Sequence, residues 1–139
     1  ICAGAYLCTS GFDWGLKILD ARTVSPKWQR GRGMVQIELT AEGQQILGDR
    51  PGLLEVRYAN GPIIRPAGVE ALPDYQVLAL FRTELAEHGS PAGAMTSSPA
   101  IAAGRCGEGR VVFVSPHPEQ TEGLEDLVEQ AARWAAGKD

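Results

Sequence analysis

Short apolar runs follow one another along the chain, and turns rich in glycine and proline separate them. This pattern predicts strands at 34–39, 53–58 and about 75–82, because runs of this length with partial alternation are typical of strands. Between the first two of these strands, Thr40 has the right position to cap a short helix, and Gly48 to end it. Asn60-Gly61-Pro62 predicts a sharp turn after the second strand.

Two further strands are predicted around the turn Gly107-Glu108-Gly109. The second of them contains the run from Val111 to Val114, which has no polar alternation. A strand that is apolar on both faces is typical of the middle of a sheet with helices on each side. The last segment is predicted to be a helix that packs one apolar stripe on the sheet. The residues of this stripe are Leu124, Leu127, Val128, Ala131 and Ala135.

At the start of the chain, "AGAYLCTS" predicts a short helix and "GLKILDARTV" predicts a strand with its turn. Together these elements predict an α/β fold, and we expect a three-layer α/β/α (flavodoxin-like) sheet. The length of 139 residues fits one domain, residues 1–139. Because the chain starts at Ile1 inside what resembles a structural motif, we expect the first strands of the sheet, and any signal peptide, to precede it.

Composition narrows the choice of partners and compartment. Thirteen Lys and Arg residues against 17 Asp and Glu give a net charge of -4, which argues against nucleic acid and anionic membrane surfaces. No apolar run approaches the roughly 20 residues that span a bilayer. Three irregularly spaced cysteines, Cys2, Cys8 and Cys106, predict neither a disulfide framework nor a zinc motif. We therefore expect a cytoplasmic protein with no metal or cofactor, whose partner is a small molecule or another protein.

Candidate chemistry centres on Cys2, since small residues around one reactive side chain are typical of a tight strand-to-helix turn. Of the two histidines, His88 lies in a polar loop and is interpreted as a solvated surface residue. His117 follows the apolar strand, beyond whose end ligands of α/β sheets bind. Glu119 follows two residues later, on the same side of an extended segment. Taken alone, a cysteine among small residues is more often a buried small side chain, and His117-Pro118-Glu119 could equally be a polar strand end.

Taken together, these residues predict a nucleophile, a base and an orienting acid. Cys2 would attack, with His117 and the start of a helix activating its thiol. Glu119 would fix the imidazole tautomer, and the backbone N–H of Ala3 would supply half of an oxyanion hole. Cys8 and Cys106 are expected to be packing residues, and so to react with alkylating agents more slowly than Cys2.

The motifs "ICAGAY" and "SPHPE" resemble those of the class I glutamine amidotransferase superfamily. More closely, "CAGAY", "YANGPI" and "GRVVFVSPHPE" are similar to the branch called biotin-protein ligase N-terminal domain-like. The resemblance covers essentially the whole chain. It implies a thiol hydrolase or amidase with the triad Cys2, His117 and Glu119, a small-molecule amide substrate, and a synthase or ligase domain as a partner.

The resemblance also implies which residues face the substrate. In family members that hydrolyse glutamine, a glutamine usually stands four residues after the nucleophile, and Tyr6 occupies that position here. The segment "RYANGP", with Asn60 and Gly61, differs from the motif that holds the amino acid part of glutamine. We therefore expect Tyr6, Asn60 and Gly61 to bind the substrate, and glutamine to be a poor one.

Two other functions stay open at the level of sequence. A domain that keeps the triad residues can serve as a non-catalytic binding or regulatory module, because fold and site ancestry do not guarantee turnover. Alternatively, removal of Ile1 would make Cys2 an N-terminal nucleophile with its own amine as base. That mechanism would leave the "SPHPE" segment without a role.

Overall fold

An antiparallel sheet of five strands forms the centre of the fold, with the strand order β3-β2-β5-β6-β7. A computed structural model describes residues 1–25 and 29–138. A second, two-stranded antiparallel sheet pairs β1 with β4. The elements are a 3₁₀ helix (Cys2–Cys8), β1 (Ala21–Thr23), β2 (Arg32–Leu39), α1 (Ala41–Leu47), β3 (Leu53–Ala59), β4 (Ile64–Pro66), β5 (Gln76–Phe81), β6 (Pro99–Cys106), β7 (Gly109–Val114), a second 3₁₀ helix (Pro118–Gln120) and α2 (Asp126–Ala135).

Each face of the main sheet is covered by a different set of elements. On one face, Leu47 of α1 and Leu127 of α2 are buried in the larger apolar cluster, together with Ile101 of β6. On the other face, the first 3₁₀ helix and the β1-β4 sheet cover a smaller cluster, to which the next residue of β6, Ala102, belongs. Successive residues of β6 therefore reach opposite clusters, as the pleat of a strand requires.

The prediction of a three-layer α/β/α (flavodoxin-like) fold is wrong, because every strand pair in the described residues is antiparallel. Parallel neighbours need a crossover that carries the chain back along the whole strand. The seven residues of α1 measure about 10 Å, whereas the eight residues of β2 span about 27 Å. The chain therefore reverses through α1, and β3 pairs with β2 antiparallel.

Most of the predicted elements are present. Strands occur at the three positions predicted before residue 83, and Oγ1 of Thr40 accepts a hydrogen bond from the N–H of Gly43 at the start of α1. The segment "GLKILDARTV" is shorter than predicted, since only β1 is a strand there. The apolar run in β7 does have both faces covered, but β7 lies at one end of the strand order rather than in the middle. Among the described residues, no helix is long and apolar enough to cross a membrane.

Gly43 allows α1 to lie directly on the backbone of β5. A Cβ atom added at Gly43 would be 1.9 Å from the carbonyl oxygen of Leu78. Glycine in a helix costs about 1 kcal/mol relative to alanine, so its presence here reflects the close approach rather than helix propensity.

We expect Gly43→Ala to lower the free energy of unfolding by about 1–3 kcal/mol, because the added methyl group has no room. Urea denaturation measures this change. Gly11→Ala is the matched control, since its added Cβ would meet only the Cβ of Arg22, at 3.6 Å. A Gly43→Ala variant as stable as the parent chain would contradict this close packing.

Candidate active site

The open edge of β3 brings the predicted nucleophile and base together. The thiol of Cys2 donates a hydrogen bond to the carbonyl oxygen of Ala59 at 3.1 Å, and the backbone N–H of His117 donates to that of Arg57 at 2.7 Å. Carbonyls two residues apart point to the same side of a strand and lie about 7 Å apart. Two segments from opposite ends of the chain therefore meet along one strand edge.

The backbone of Cys2 is strained. Its φ is +48°, in the left-handed region that residues other than glycine seldom adopt. Cys2 is also the first residue of the first 3₁₀ helix, directly after the N-cap residue Ile1. Strain of this kind is concentrated at functional sites, and a nucleophile on a sharp turn is a known example.

The small residues after Cys2 differ from the expectation in one respect. A Cβ atom added at Gly4 would have no atom of the described chain within 4 Å, so Gly4 is not required to avoid a collision there. Ala5, in contrast, is 1% exposed and packs in the smaller apolar cluster. Ala5 is thus the small residue that allows the first 3₁₀ helix to lie on the sheet.

His117 and Glu119 form the predicted pair. Nδ1 of His117 lies 2.6 Å from Oε1 of Glu119. An ionised carboxylate only accepts hydrogen bonds, so Nδ1 is the donor to Glu119, and in a neutral imidazole Nε2 is then the nitrogen that can accept a proton. The backbone is not extended as expected, because Pro118–Gln120 form a 3₁₀ turn that brings the carboxylate to the ring.

Thr121 fixes this segment on β3, a role that the sequence reasoning missed. Its hydroxyl donates to the carbonyl oxygen of His117 at 2.9 Å and accepts from the N–H of Arg57 at 3.0 Å. One side chain therefore ties the backbone of the base to the strand edge. A Ser or Thr four residues after a candidate base is the only signal that could have indicated it.

Burial raises the pKa of the Cys2 thiol above its ordinary value of 9.0. The N–H of Ala3 and the nearby Arg32 oppose this rise, whereas the negative charge of Glu119 adds to it. The direction of this pKa shift is opposite to that of an activated, readily ionised thiol, and the activation of Cys2 stays a prediction. Among the described residues, the thiol makes no hydrogen bond to His117, because its proton is directed to Ala59.

The polar groups of Tyr6 and Asn60 form hydrogen bonds to the backbone of the protein itself. The Tyr6 hydroxyl donates to the backbone carbonyl of Asn60 at 3.0 Å, and burial raises the pKa of Tyr6 to about 12. Oδ1 of Asn60 accepts from the N–H of Gly31 at 2.8 Å, which supports the positive φ of +60° at Asn60. Both residues hold the turn after β3 beside Cys2.

Gly61 lies against the segment that leads to His117. A Cβ atom at this position would be 2.0 Å from the carbonyl oxygen of Ser115. The buried hydroxyl of Tyr58 donates to the carbonyl of Gly61 at 2.6 Å. Gly61 is therefore required for the close approach of these two segments, and its role in substrate binding stays a prediction.

Two clefts flank the site. An apolar cleft of about 210 Å³ is lined by Ala3, Tyr6, Phe12 and Trp14. Phe12 stacks on Trp14 with ring centroids 4.6 Å apart, and Trp14 remains 59% exposed. The sequence reasoning missed this cleft, although two aromatic residues in the polar, glycine-rich segment "SGFDWG" could have indicated it.

The second cleft, of about 340 Å³, is polar. It is lined by Gln29, Gly31, Arg32, Asn60, Glu87 and His88. The imidazole of His88 is exposed, as expected, and lies 3.7 Å from the carboxylate of Glu87.

Arg30 is buried beside this polar cleft, which neither charge nor pattern in the sequence indicated. Its Nη2 donates to Glu84 at 2.7 Å and to the carbonyl of Pro91 at 3.0 Å. Its Nε and Nη1 have no hydrogen-bond partner in the described part of the chain.

Within residues 1–25 and 29–138, no three His, Cys, Asp or Glu side chains cluster as metal ligands. Comparisons of the chain with models of protein families, with curated proteins and with solved structures found no match in any of the three. The chemistry of the site therefore has to be inferred from its own geometry.

Two substitutions should move the reactivity of Cys2 in opposite directions. Glu119→Gln removes a negative charge that raises the pKa of the thiol, so alkylation by iodoacetamide should become severalfold faster at a fixed mildly alkaline pH. Arg32→Gln removes a positive charge that lowers this pKa, so alkylation should become slower.

Peptide mapping measures both rates, with the exposed Cys106 as an internal reference in the same sample. In the parent chain, the labelling rate of Cys2 should still be rising at pH values above 9.0. A shift of both variants in the same direction would refute the charge environment described for Cys2.

Proposed function

We propose that this protein is a cysteine-dependent hydrolase of carboxamides, with Cys2 as nucleophile, His117 as base and Glu119 as the acid that orients it. The observation that carries this proposal is the meeting of Cys2 and the His117–Glu119 pair on the edge of β3. The resemblance of "ICAGAY" and "SPHPE" to the class I glutamine amidotransferase superfamily supports the same assignment. The strained backbone at Cys2 gives it further support.

The reaction would begin when the thiol turns from the Ala59 carbonyl to Nε2 of His117. The imidazole accepts the thiol proton as sulfur attacks the amide carbon, and the N–H of Ala3 stabilises the negative oxygen that forms. Collapse of this intermediate breaks the C–N bond, and His117 gives its proton to the departing ammonia. Water, deprotonated by His117, then hydrolyses the thioester to a carboxylic acid and restores the thiol.

The apolar cleft supports a substrate whose acyl group is apolar. Its lining residue Ala3 directly follows the nucleophile, so a group attached to the reacting carbonyl lies within reach of the aromatic rings. The Tyr6 hydroxyl is already bound to Asn60, and among the described residues no other ionisable side chain lines this cleft. Free glutamine, which carries two charges, would find few partners there and is a poor candidate.

A non-catalytic binding module is the second candidate, and one observation favours it. The Cys2 thiol donates its proton to a backbone carbonyl, and the groups that lower its pKa do not outweigh the effect of burial. A relic triad that serves only as part of a binding surface would have this property. Turnover assays separate the two candidates.

If the enzyme proposal is right, the chain releases ammonia from at least one member of a panel of aliphatic and aromatic carboxamides. Cys2→Ala and His117→Asn should each lower kcat/KM by about 10⁴-fold or more, and Glu119→Gln by a smaller factor. Ammonia release at saturating and limiting substrate measures both parameters.

Cys106→Ala and Glu122→Gln are matched controls, because both side chains are exposed and lie outside the triad. Both controls should keep full activity. Absence of ammonia release from every amide, with metabolite binding that Cys2→Ala leaves unchanged, would reject catalysis in favour of the binding module.

The apolar cleft should set the preference among amides. We expect phenylacetamide to be hydrolysed with a higher kcat/KM than acetamide, because its ring can be buried against Phe12 and Trp14. Trp14→Ala should reduce this preference about tenfold, whereas Leu16→Ala, which removes an exposed side chain outside the cleft, should not. Equal preference in Trp14→Ala and the parent chain would show that the acyl group binds elsewhere.

A further inference from the structure

The polar cleft adjoins the candidate nucleophile, as the apolar cleft does. Tyr6 lines the apolar cleft, and its hydroxyl donates to the carbonyl of Asn60, which lines the polar cleft. Asn60 directly follows Ala59, the residue whose carbonyl accepts a hydrogen bond from the thiol of Cys2. The hydrogen bond between Tyr6 and Asn60 therefore joins the linings of the two clefts beside Cys2. A substrate whose reacting carbonyl lies at Cys2 can place one end in each cleft.

Arg32 brings a positive charge into the polar cleft close to Cys2. It is the first residue of β2, and it pairs directly with Ala59 of β3. Directly paired residues of antiparallel strands have Cα atoms about 4.5–5.5 Å apart, so Arg32 stands next to the residue that holds the thiol. Its side chain is exposed, and its charge acts on the thiol of Cys2. An anionic group of a substrate bound at Cys2 is therefore within reach of this guanidinium.

The lining of the polar cleft also includes a carboxylate, that of Glu87. It lies 3.7 Å from the imidazole of His88, and a Cβ atom added at Gly31 would be 2.8 Å from its Oε2. Glu87 repels a second carboxylate and attracts an ammonium group, whereas Arg32 does the opposite. A cleft with both signs of charge suits a zwitterion, such as a free amino acid, better than a simple anion.

We propose that the polar cleft binds the amine part of the substrate, and that this part is an amino acid whose carboxylate pairs with Arg32. A planar guanidinium matches a carboxylate, with which it can form two parallel hydrogen bonds. This inference rests on the proposed hydrolase and names its substrate class, which is N-acyl amino acids with an apolar acyl group. The acyl group would lie against Phe12 and Trp14, and the amino acid beside Arg32.

The bond that is broken is then a secondary amide. The sulfur of Cys2 bonds to the acyl carbon, the C–N bond breaks, and the nitrogen takes the proton that His117 received from the thiol. The amino acid leaves with its own carboxylate unchanged. Water then hydrolyses the thioester to the apolar carboxylic acid, and the proton that His117 takes from this water returns to the sulfur.

Three amides of phenylacetic acid test the proposal. They are phenylacetylglycine, N-isobutylphenylacetamide, which has the same shape without the charge, and phenylacetamide. Release of phenylacetic acid, measured by liquid chromatography, gives kcat/KM for each. We expect kcat/KM for phenylacetylglycine to exceed that for N-isobutylphenylacetamide about tenfold or more, because only the former makes charge-assisted hydrogen bonds to a guanidinium. Added salt should reduce this preference.

Arg32→Gln should abolish the preference for phenylacetylglycine, whereas Arg65→Gln, a change of an exposed arginine outside the cleft, should keep it. The ratio of the two kcat/KM values is the quantity to compare. Arg32 also affects the thiol of Cys2, but that effect is common to both amides and cancels in the ratio.

Calorimetry with the Cys2→Ala variant, which cannot form a thioester, gives a second readout. Phenylacetylglycine should bind to this variant more tightly than N-isobutylphenylacetamide does. Addition of Arg32→Gln to Cys2→Ala should remove the difference in affinity.

The outcomes separate a failure of this inference from a failure of the proposed hydrolase. Hydrolysis of phenylacetamide without a preference for phenylacetylglycine, or with a preference that Arg32→Gln leaves intact, would overturn the amino acid site and leave the hydrolase in place. Absence of phenylacetic acid from all three amides would instead reject the hydrolase and, with it, the role of the polar cleft in binding the amine part.

Discussion

Two backbone carbonyls on the open edge of β3 hold the candidate active site together. A sheet edge leaves N–H and C=O groups without strand partners, and these groups must be satisfied in another way. Here the carbonyl of Ala59 accepts a hydrogen bond from the thiol of Cys2, which is 57 residues away in sequence. Arg57 bonds to the backbone of His117 and to the hydroxyl of Thr121, which is 64 residues away. Completion of the strand edge and assembly of the site are therefore one event, and a change that loosens the edge also separates the triad.

Glu119 has two opposing effects, one on His117 and one on the thiol of Cys2. Its carboxylate fixes the tautomer of His117, yet its negative charge adds to the rise in the pKa of the Cys2 thiol. An imidazole that bears a positive charge during the reaction would benefit from the carboxylate, whereas a resting thiolate would suffer from it. The arrangement therefore suits a thiol that gives up its proton only as it attacks, and it disfavours a nucleophile that is ionised beforehand.

Local features of the structure could be predicted from the sequence, whereas the direction of the strands could not. Thr40 caps α1, and the run from Val111 to Val114 has both faces covered, because capping and burial depend on neighbouring residues and side-chain pattern. Strand direction depends on whether a connection is long enough for a crossover, and the apolar run in β7 carries no information on that. The α/β interpretation failed for this reason.

In the candidate site, too, local contacts could be predicted from the sequence and contacts between distant segments could not. The pairing of His117 with Glu119 was expected from their short separation in sequence, although a 3₁₀ turn and not an extended segment brings them together. The clamp by Thr121 and the contact of Gly61 with Ser115 join segments that are distant in sequence. The burial of Arg30 could not be predicted from the sequence either, because the residues next to a charged residue do not indicate whether the folded chain will enclose it. Long-range packing, rather than local propensity, determined what the sequence left open.

The hydrogen bond from Cys2 to Ala59 also affects how fast oxidants react with the Cys2 thiol. Peroxides attack the thiolate and not the thiol, and they convert it first to a sulfenic acid and then to forms that cells do not readily reverse. A sulfur that is half-buried, protonated and bonded to a carbonyl is a slow target for this chemistry. The exposed Cys106 is a more accessible target, so the first oxidative damage would fall on a residue outside the triad.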